Sequence, residues 1–285
     1  MSPRLPALFA LTLLAGCTAV PSRPAAPAAG PDDNLNAVAW SQAAVEHDLI
    51  YRQTYRDAQD RLPAALADPR WDALTPTDRR HPSAQLPPAV VLDIDETVLD
   101  NSPYQARLVR DGGEFNEADW EAWCREARAR ALPGAVAFTR FAAAHGVAVI
   151  YISNRAAALD AATLANLRQV GLPVSGPQAF LGLGTPVPGC TQHGSDKGCR
   201  RQWVSQHYRV LMQFGDQLGD FLDIPDNTPA ARAAVVQPYL GWIGERWFVL
   251  PNPTYGSWEP ALFGNDWHAP RDERRRRKRD ALRTN

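Results

Sequence analysis

Two closely spaced aspartates are the residues whose type and spacing most clearly suggest catalysis in this sequence. Asp93 and Asp95 are separated by one isoleucine and follow a short apolar run, residues 89–92. Such a run is typical of a buried parallel strand, and catalytic residues gather where the parallel strands of an α/β sheet end. Carboxylates in this position act as nucleophiles or transfer protons. The spacing therefore indicates a candidate active site directly after this strand.

Other polar residues follow later apolar runs in the same way. Ser153 and Asn154 follow residues 147–152, and Asp216 and Asp220 follow residues 208–214. A single Ser or Asn after a strand is usually a turn residue, and an aspartate there is often a helix N-cap. Several such residues in the same strand context are more consistent with one shared site.

Five apolar runs predict the strands that would position these residues: 89–92, 147–152, 179–183, 208–214 and 245–250. They alternate with helical segments such as residues 157–170, so we expect an α/β fold with a doubly wound, mainly parallel five-stranded sheet and helices on both faces. A chain of 285 residues, 45% of them hydrophobic, can build a substantial core. Its formal net charge of -1 excludes a globally cationic nucleic-acid binder.

The N-terminus predicts export and lipid anchoring. Residues 1–16 have the features of a signal peptide, with Arg4 before an apolar stretch that is too short to span a bilayer. The sequence Leu14-Ala15-Gly16-Cys17 resembles a bacterial lipobox, in which Cys17 becomes the lipidated N-terminus. Thr18, by resemblance to other bacterial lipoproteins, favours the outer membrane. Secretion with an unmodified Cys17 is the alternative.

The remaining sequence divides into a tether, a folded domain and a tail. Residues 17–33 are rich in Pro and Ala and predict a lipid-anchored, semi-extended tether. Residues 34–268 carry the folding signals, with an insert at about 100–133 that predicts a smaller, mostly helical cap. Residues 269–285 form a basic tail. We expect this tail to be solvated or to contact anionic lipid, because no fold for reading nucleic-acid bases accompanies it.

Four motifs occur in order along the chain, and a late segment follows them: Val91-Leu92-Asp93-Ile94-Asp95-Glu96-Thr97-Val98-Leu99-Asp100-Asn101-Ser102-Pro103-Tyr104, Ser153, Lys197, Gly215-Asp216-Gln217-Leu218-Gly219-Asp220-Phe221, and Asn252-Pro253-Thr254-Tyr255-Gly256-Ser257-Trp258-Glu259. This order resembles the haloacid dehalogenase (HAD) superfamily and, more narrowly, the class C acid phosphatases. Those are bacterial outer-membrane lipoproteins that act as 5'-nucleotidases. The similarity runs from about Leu35 to Trp258.

The resemblance implies a role for each aspartate. Asp93 would be the nucleophile that forms an aspartyl-phosphate, and Asp95 would be the general acid and then the base. Crowded carboxylates facing a phosphate dianion need a divalent cation, and one Mg²⁺ per chain fits their oxygen ligands. Its protein ligands would be the carboxylates of Asp93 and Asp216 and the backbone carbonyl of Asp95. Asp220 would bind a metal-bound water or orient the other ligands.

The resemblance also implies how substrate is held. Ser153, the backbone around Asn154, and Lys197 would bind the phosphoryl oxygens. Trp120 and Tyr255 match by position two rings that clamp a nucleobase, which predicts broad hydrolysis of 5'-mononucleotides. A phosphatase or phosphotransferase for other small phosphomonoesters is one alternative, and a non-catalytic haem-binding lipoprotein is another. Oligomeric state is left open, and a dimer is one of the alternatives.

Three cysteines remain besides Cys17. Cys190 and Cys199 flank Lys197 in a Gly-rich loop, and a disulfide between them would fix that loop. Pairing with Cys124, or free thiols, are the alternatives.

Overall fold

Helices and strands alternate through most of residues 33–284, which are the residues described by the computed structural model. In chain order the elements are α1 (Leu35–Ala43), α2 (Val45–Ala67), β1 (Pro88–Leu92), β2 (Leu99–Asp100), α3 (Ser102–Asp111), α4 (Glu117–Glu126), β3 (Arg130–Ala131), α5 (Ala135–Ala144), β4 (Ala148–Ala156), α6 (Asp160–Gln169), β5 (Phe180–Leu183), α7 (Gly198–His207), β6 (Arg209–Gly215), α8 (Pro229–Val236), β7 (Trp247–Val249) and α9 (Arg271–Asp280).

Five of these strands form one parallel sheet in the order β5-β4-β1-β6-β7. The five predicted strands are confirmed, although β4 runs on to Ala156, past the polar residues that were expected to end it. β1 lies at the centre because it pairs with β4 on one side and with β6 on the other. The chain order of the strands reverses between β1 and β6, and ligands bind at such a reversal in doubly wound sheets.

Alternate residues of β1 pack on opposite faces of the sheet. Val90 and Leu92 belong to a core cluster with side chains of α2 and α5, whereas Ala89 and Val91 belong to a second cluster that includes α7. This period of two is the geometry of a strand covered on both faces, which is why residues 89–92 are apolar without interruption. Packing on both faces therefore holds β1 in place, and this fixes the position of the polar residues that follow it.

A buried arginine ties α7 to the segment that precedes the sheet. Arg201 is fully buried; its Nε donates to Asp78 at 2.7 Å and its Nη2 donates to Asp223 at 2.6 Å. Burial raises the pKa of Asp78, and the charge of Arg201 opposes that rise. Removal of either partner would leave the other buried charge without a counter-charge, which destabilises the folded state.

Replacing Arg201 with methionine is expected to lower the free energy of unfolding by about 3 to 5 kcal/mol, measured by urea denaturation. The matched control is Arg70→Met, because the Arg70 side chain is 90% exposed in its pair with Asp68 and should contribute less than about 1 kcal/mol. Equal losses in both variants would contradict the assignment of Arg201 as a structural ion pair.

The insert after β1 forms a small helical cap. Helices α3 and α4 lie between β2 and β3, which pair as an antiparallel two-stranded ribbon. A partly exposed, two-bond ion pair joins Arg107 of α3 to Glu126 of α4, at 2.7 and 2.9 Å. These elements lie within the insert predicted at about residues 100–133.

The basic tail is more ordered than the sequence suggested. Residues 271–280 form α9, and ion pairs join this surface helix to other parts of the protein. Arg274 bonds Glu114 of the cap at 2.8 Å, Arg275 bonds Asp33 at 2.8 Å, and Lys278 bonds Glu259 at 2.9 Å. No residue of α9 is buried, so the expectation of a solvated tail, or of one that contacts anionic lipid, stays a prediction.

The predicted signal peptide, the predicted lipidation site Cys17 and the predicted tether before Asp33 lie outside the described residues. Within residues 33–284, no helix combines the length and the apolar character that crossing a bilayer requires.

Candidate active site

Three aspartates meet at the ends of the two central strands. Asp93 follows β1 and Asp216 follows β6, while Asp220 lies in the short 3-10 turn after β6. Each offers one carboxylate oxygen, and these oxygens all lie within 4.8 Å of one another. Predicted Asp95 lies beside them on the loop after β1, so the sheet brings all four predicted aspartates to one edge.

The turn after β6 depends on close packing. The backbone N–H of Gln217 donates to Asp220 Oδ2 at 2.8 Å, which caps the turn. A side chain on Gly215 would place its Cβ 2.4 Å from the Cβ of Asp220, so glycine is required there for Asp220 to approach the strand end. The Gly215-Asp216-x-x-x-Asp220 spacing therefore has a steric cause.

Lys197 lies between two of the carboxylates. Its Nζ donates to Asp220 Oδ1 at 2.6 Å and also bonds Asp93 Oδ1, and all three side chains are nearly fully buried. Burial opposes the charge of Lys197, but Asp220 and Asp93 raise the pKa of the amine overall. Burial raises the pKa of Asp93 well above its usual range, although Lys197 opposes that rise. The lysine thus keeps one positive charge where the site concentrates negative charge.

Asp216 is held by two amides. Gln217 Nε2 donates to Asp216 Oδ2 at 2.6 Å, and Asn252 Nδ2 donates to the same oxygen at 2.8 Å. Burial and then the nearby charge of Asp220 raise the pKa of Asp216 to about 7, which the two amides oppose. These bonds leave Oδ1 facing Thr97, whose hydroxyl lies 3.4 Å from it and 3.3 Å from Asp93 Oδ2.

The aspartate cluster fits a divalent cation. Three clustered carboxylate oxygens are hard donors, which suit Mg²⁺, Ca²⁺ or Mn²⁺ better than zinc or copper. Carboxylates held this close repel one another, and the raised pKa of Asp93 and Asp216 expresses that cost together with burial. A bound cation would offset the repulsion between these carboxylates. Asp93, Asp216 and Asp220 can therefore hold a metal ion.

Asp95 is bound differently from the three clustered aspartates. Arg155 donates to Asp95 Oδ1 through Nε at 2.9 Å and Nη2 at 2.8 Å, and Asn101 Nδ2 donates to it at 2.8 Å. The Ser153 hydroxyl donates to Oδ2 at 3.1 Å. Oδ1 thus accepts bonds from three donor atoms. Oδ2 instead contacts a hydroxyl, which can either donate or accept a hydrogen bond.

The predicted phosphate-binding residues occupy the neighbouring strand. Ser153 is buried in β4 and contacts Asp95, whereas the Asn154 side-chain oxygen accepts a bond from Arg200 Nη2 at 2.7 Å. Arg200 also donates to the backbone oxygen of Asp196 at 3.0 Å. This arginine therefore joins the end of β4 to the loop that carries Lys197.

A disulfide joins Cys190 to Cys199 across nine positions of sequence. Cys124 is a buried free cysteine. The bridge closes the loop that carries Lys197 immediately before α7 begins at Gly198. The cysteine pairing that the sequence favoured is thus the one in the structure, and it restricts the loop on which the buried amine depends.

Replacing both Cys190 and Cys199 with serine is expected to lower the free energy of unfolding by about 2 to 3 kcal/mol and to raise KM. Without the bridge the unfolded chain gains conformational entropy, which lowers stability. In the folded chain the loop that carries Lys197 is less restricted, which raises KM. Denaturation and steady-state kinetics measure the two effects. Dithiothreitol should reproduce them in the wild type and change nothing in the double variant; a reductant-insensitive wild type would contradict this role.

The two predicted base-stacking rings occupy different settings. Trp120 of α4 packs edge-on against Tyr104, with ring centroids 5.1 Å apart, and the Arg155 guanidinium lies 5.7 Å from its centroid. Tyr255 is half-buried on the loop after β7, and its hydroxyl bonds Glu96. Trp123, also of α4, is buried and donates to Asn101 Oδ1 at 2.7 Å, so it packs inside the protein.

Several residues at the site were not singled out by the sequence reasoning: Glu96, Asn101, Arg155, Arg200, Gln217 and Asn252. Arg155 directly follows predicted Asn154, and Asn101 lies within the motif that begins at Val91, so a search for charged or amide side chains in and beside each motif would have found them. Asn252 begins the late segment of the resemblance, but its contact could not be predicted, because it lies 36 positions from the aspartate it binds.

A doubly wound parallel sheet with clustered aspartates and a buried lysine at its reversal point is the arrangement of a HAD-like α/β protein. The comparisons agree. The family model described as HAD superfamily, subfamily IIIB (acid phosphatase), matches residues 36–258. The chain therefore belongs to this family of phosphomonoesterases, and the resemblance noted in the sequence is confirmed.

Solved structures agree with the family model, and curated proteins match part of the chain. The class C acid phosphatase from Bacillus anthracis, solved with tungstate bound, is 34% identical, with a TM-score of 0.76 over 88% of this chain and 97% of that one. A second structure of that enzyme gives a TM-score of 0.75. The stem 31 kDa glycoprotein of Glycine max is 27% identical over 58% of this chain. The chain spans 58% of the length of that soybean relative.

Proposed function

We propose that this protein is a Mg²⁺-dependent acid phosphatase that hydrolyses 5'-mononucleotides to nucleoside and phosphate through an aspartyl-phosphate intermediate. The observation that carries the proposal is the bond between buried Lys197 and Asp93 inside the aspartate cluster. A carboxylate beside a fixed ammonium and a cation site is suited to attack a phosphate dianion. Tungstate, bound to the Bacillus anthracis relative, is a tetrahedral oxyanion like phosphate.

The first step transfers the phosphoryl group to the protein. An Asp93 carboxylate oxygen forms a bond to phosphorus as the phosphorus–ester oxygen bond breaks. The leaving oxygen takes a proton from Asp95, while Lys197 donates to the phosphoryl oxygens. Ser153 can also donate to them if its single hydroxyl hydrogen turns away from Asp95 Oδ2. Arg155 and Asn101 bind Asp95 Oδ1, which leaves Oδ2, beside the Ser153 hydroxyl, as the oxygen available for proton transfer.

The second step releases phosphate. Asp95 takes a proton from water, the water oxygen bonds to phosphorus, and the phosphorus–oxygen bond to Asp93 breaks. Phosphate leaves, and Asp95 is again protonated for the next turnover. A Mg²⁺ held by Asp93, Asp216, Asp220 and the Asp95 backbone carbonyl would neutralise phosphoryl charge throughout.

Nucleotide substrates are proposed from the aromatic residues near the site. Trp120 and Tyr255 approach from the cap and from the loop after β7, and aromatic faces stack on purines and pyrimidines alike. Release of phosphate from a panel of 5'-nucleotides, compared with ribose 5-phosphate and glycerol 2-phosphate, tests this. Equal kcat/KM for all substrates would favour a general phosphomonoesterase.

The proposed location is the bacterial outer membrane, with a lipid on Cys17. Its support is the Leu14-Ala15-Gly16-Cys17 sequence after an apolar stretch. The variant Cys17→Ala should move the protein from the membrane fraction to the soluble fraction. Unchanged membrane association would contradict the lipid anchor.

A further inference from the structure

A buried glutamate connects the catalytic loop to one of the proposed stacking rings. Glu96 lies between Asp95 and Thr97 and is only 9% exposed. Its Oε2 accepts a bond from the Tyr255 hydroxyl, and its Oε1 accepts one from the backbone N–H of Asn101 at 2.9 Å. The catalytic steps above give this carboxylate no task, although it lies beside their residues.

The backbone of Glu96 is held in an uncommon conformation. Its φ angle is 56°, which places a residue other than glycine in the left-handed region. The Tyr51 hydroxyl bonds its carbonyl oxygen, and its N–H donates to the Leu99 carbonyl at 2.9 Å. This conformation turns the carboxylate towards Tyr255, and backbone strain of this kind concentrates at functional sites.

Tyr255 is fixed at both ends. Its backbone N–H donates to Asn252 Oδ1 at 3.3 Å, and its carbonyl accepts a bond from Gln217 Nε2 at 3.2 Å. Asn252 and Gln217 are the two amides that also bind Asp216. The ring is thus attached through its backbone to the residues around Asp216 and through its hydroxyl to the loop that carries Asp93 and Asp95.

We propose that Glu96 is a positioning residue for substrate selection, which holds the Tyr255 ring in the orientation that stacks on the nucleobase. This inference rests on the proposed function, because it requires Tyr255 to contact the base. A ring whose side-chain rotation is already restricted loses less conformational entropy when substrate binds, which strengthens binding. Glu96 therefore acts through Tyr255 and does not itself touch the substrate.

The test compares two substrates that differ only in the base. Adenosine 5'-monophosphate and ribose 5-phosphate share the phosphate and the leaving oxygen, so the ratio of their kcat/KM values isolates the contribution of the base. Glu96→Ala is expected to reduce this ratio by about tenfold, mainly through KM for the nucleotide. Tyr255→Phe should reduce it similarly, because it removes the hydroxyl and keeps the ring. Glu96→Gln should recover part of the ratio, since an amide can still bond the hydroxyl.

The double variant Glu96→Ala/Tyr255→Phe distinguishes a positioning role of Glu96 from a nonspecific disturbance of the structure. If Glu96 acts through the hydroxyl, the double variant has the same ratio as either single variant. The exposed residue Glu46 of α2 supplies the control Glu46→Ala, which should leave both substrates unaffected. Thermal melting followed by circular dichroism checks the fold of each variant; if Glu96→Ala is unfolded, Tyr255→Phe alone decides.

Two results would overturn the proposal, and they differ. Variants that lose activity equally on both substrates would show that Glu96 supports the catalytic loop and not the ring. A wild-type ratio near one would show that no base is bound, which refutes the proposed nucleotide specificity and the role of Glu96 together.

Discussion

Asp93→Asn is expected to lower kcat for phosphate release by at least about 10⁴-fold while leaving the fold intact. Asparagine has the same shape as aspartate but lacks the anionic oxygen that must bond to phosphorus. Lys197, which bonds Asp93 and Asp220, would keep Asp220 as a partner, so we expect little loss of stability. Single-turnover phosphate release measures the effect.

The control for this change is Asp57→Asn, an exposed aspartate of α2, which should keep full activity. Acid quenching of the wild type during turnover should trap a phosphorylated peptide that contains Asp93, and the variant should yield none. Residual activity of Asp93→Asn within about tenfold of the wild type would exclude the aspartyl-phosphate mechanism.

Removal of divalent cations is expected to have an effect of similar size. EDTA should abolish phosphate release, and added Mg²⁺ should restore it, because three carboxylates facing a phosphate dianion are otherwise repulsive. Asp216→Asn should require a higher Mg²⁺ concentration for half-maximal activity, since it removes one anionic ligand. The exposed Asp226 gives the matched control, Asp226→Asn, which should titrate like the wild type.

The metal requirement should also depend on pH in a defined direction. Burial and the charge of Asp220 raise the pKa of Asp216 to about 7. A cation binds the deprotonated carboxylate, so protons compete with it increasingly as pH falls below this value. The Mg²⁺ concentration for half-maximal activity should therefore rise as pH decreases, as measured by metal titrations between pH 5 and pH 8. Activity that persists in EDTA, or a metal requirement that ignores pH, would contradict this assignment.

The sequence predicts the sheet and the aspartate cluster well because both depend on local patterns. Uninterrupted apolar runs such as residues 89–92 indicate buried parallel strands, and strand ends converge on one edge whatever the loops do. Asp93 and Asp216 could therefore be placed together from their positions after β1 and β6. The same reasoning located Ser153 at the end of the apolar part of β4.

The remaining features depend on contacts that no local pattern encodes. The bond between Glu96 and Tyr255 joins residues 159 positions apart, and Asn252 reaches Asp216 from another loop. The ion pairs of the basic tail could not be predicted for the same reason, since Glu114 and Asp33 become its partners only after the chain has folded. Contacts between residues so distant in sequence form only in the tertiary structure.

The central position of β1 has a consequence for how the protein becomes active. Its partner β6 is made more than 100 residues later, and Thr97 bonds Asp216 across 119 positions of sequence. A nascent or truncated chain that ends before β6 would contain Asp93 and Asp95 but lack Asp216, Asp220 and Tyr255. Such a chain could attack no phosphate ester effectively during its synthesis. Phosphatase activity would thus require that the chain has been made at least through β6 and Tyr255 and has folded.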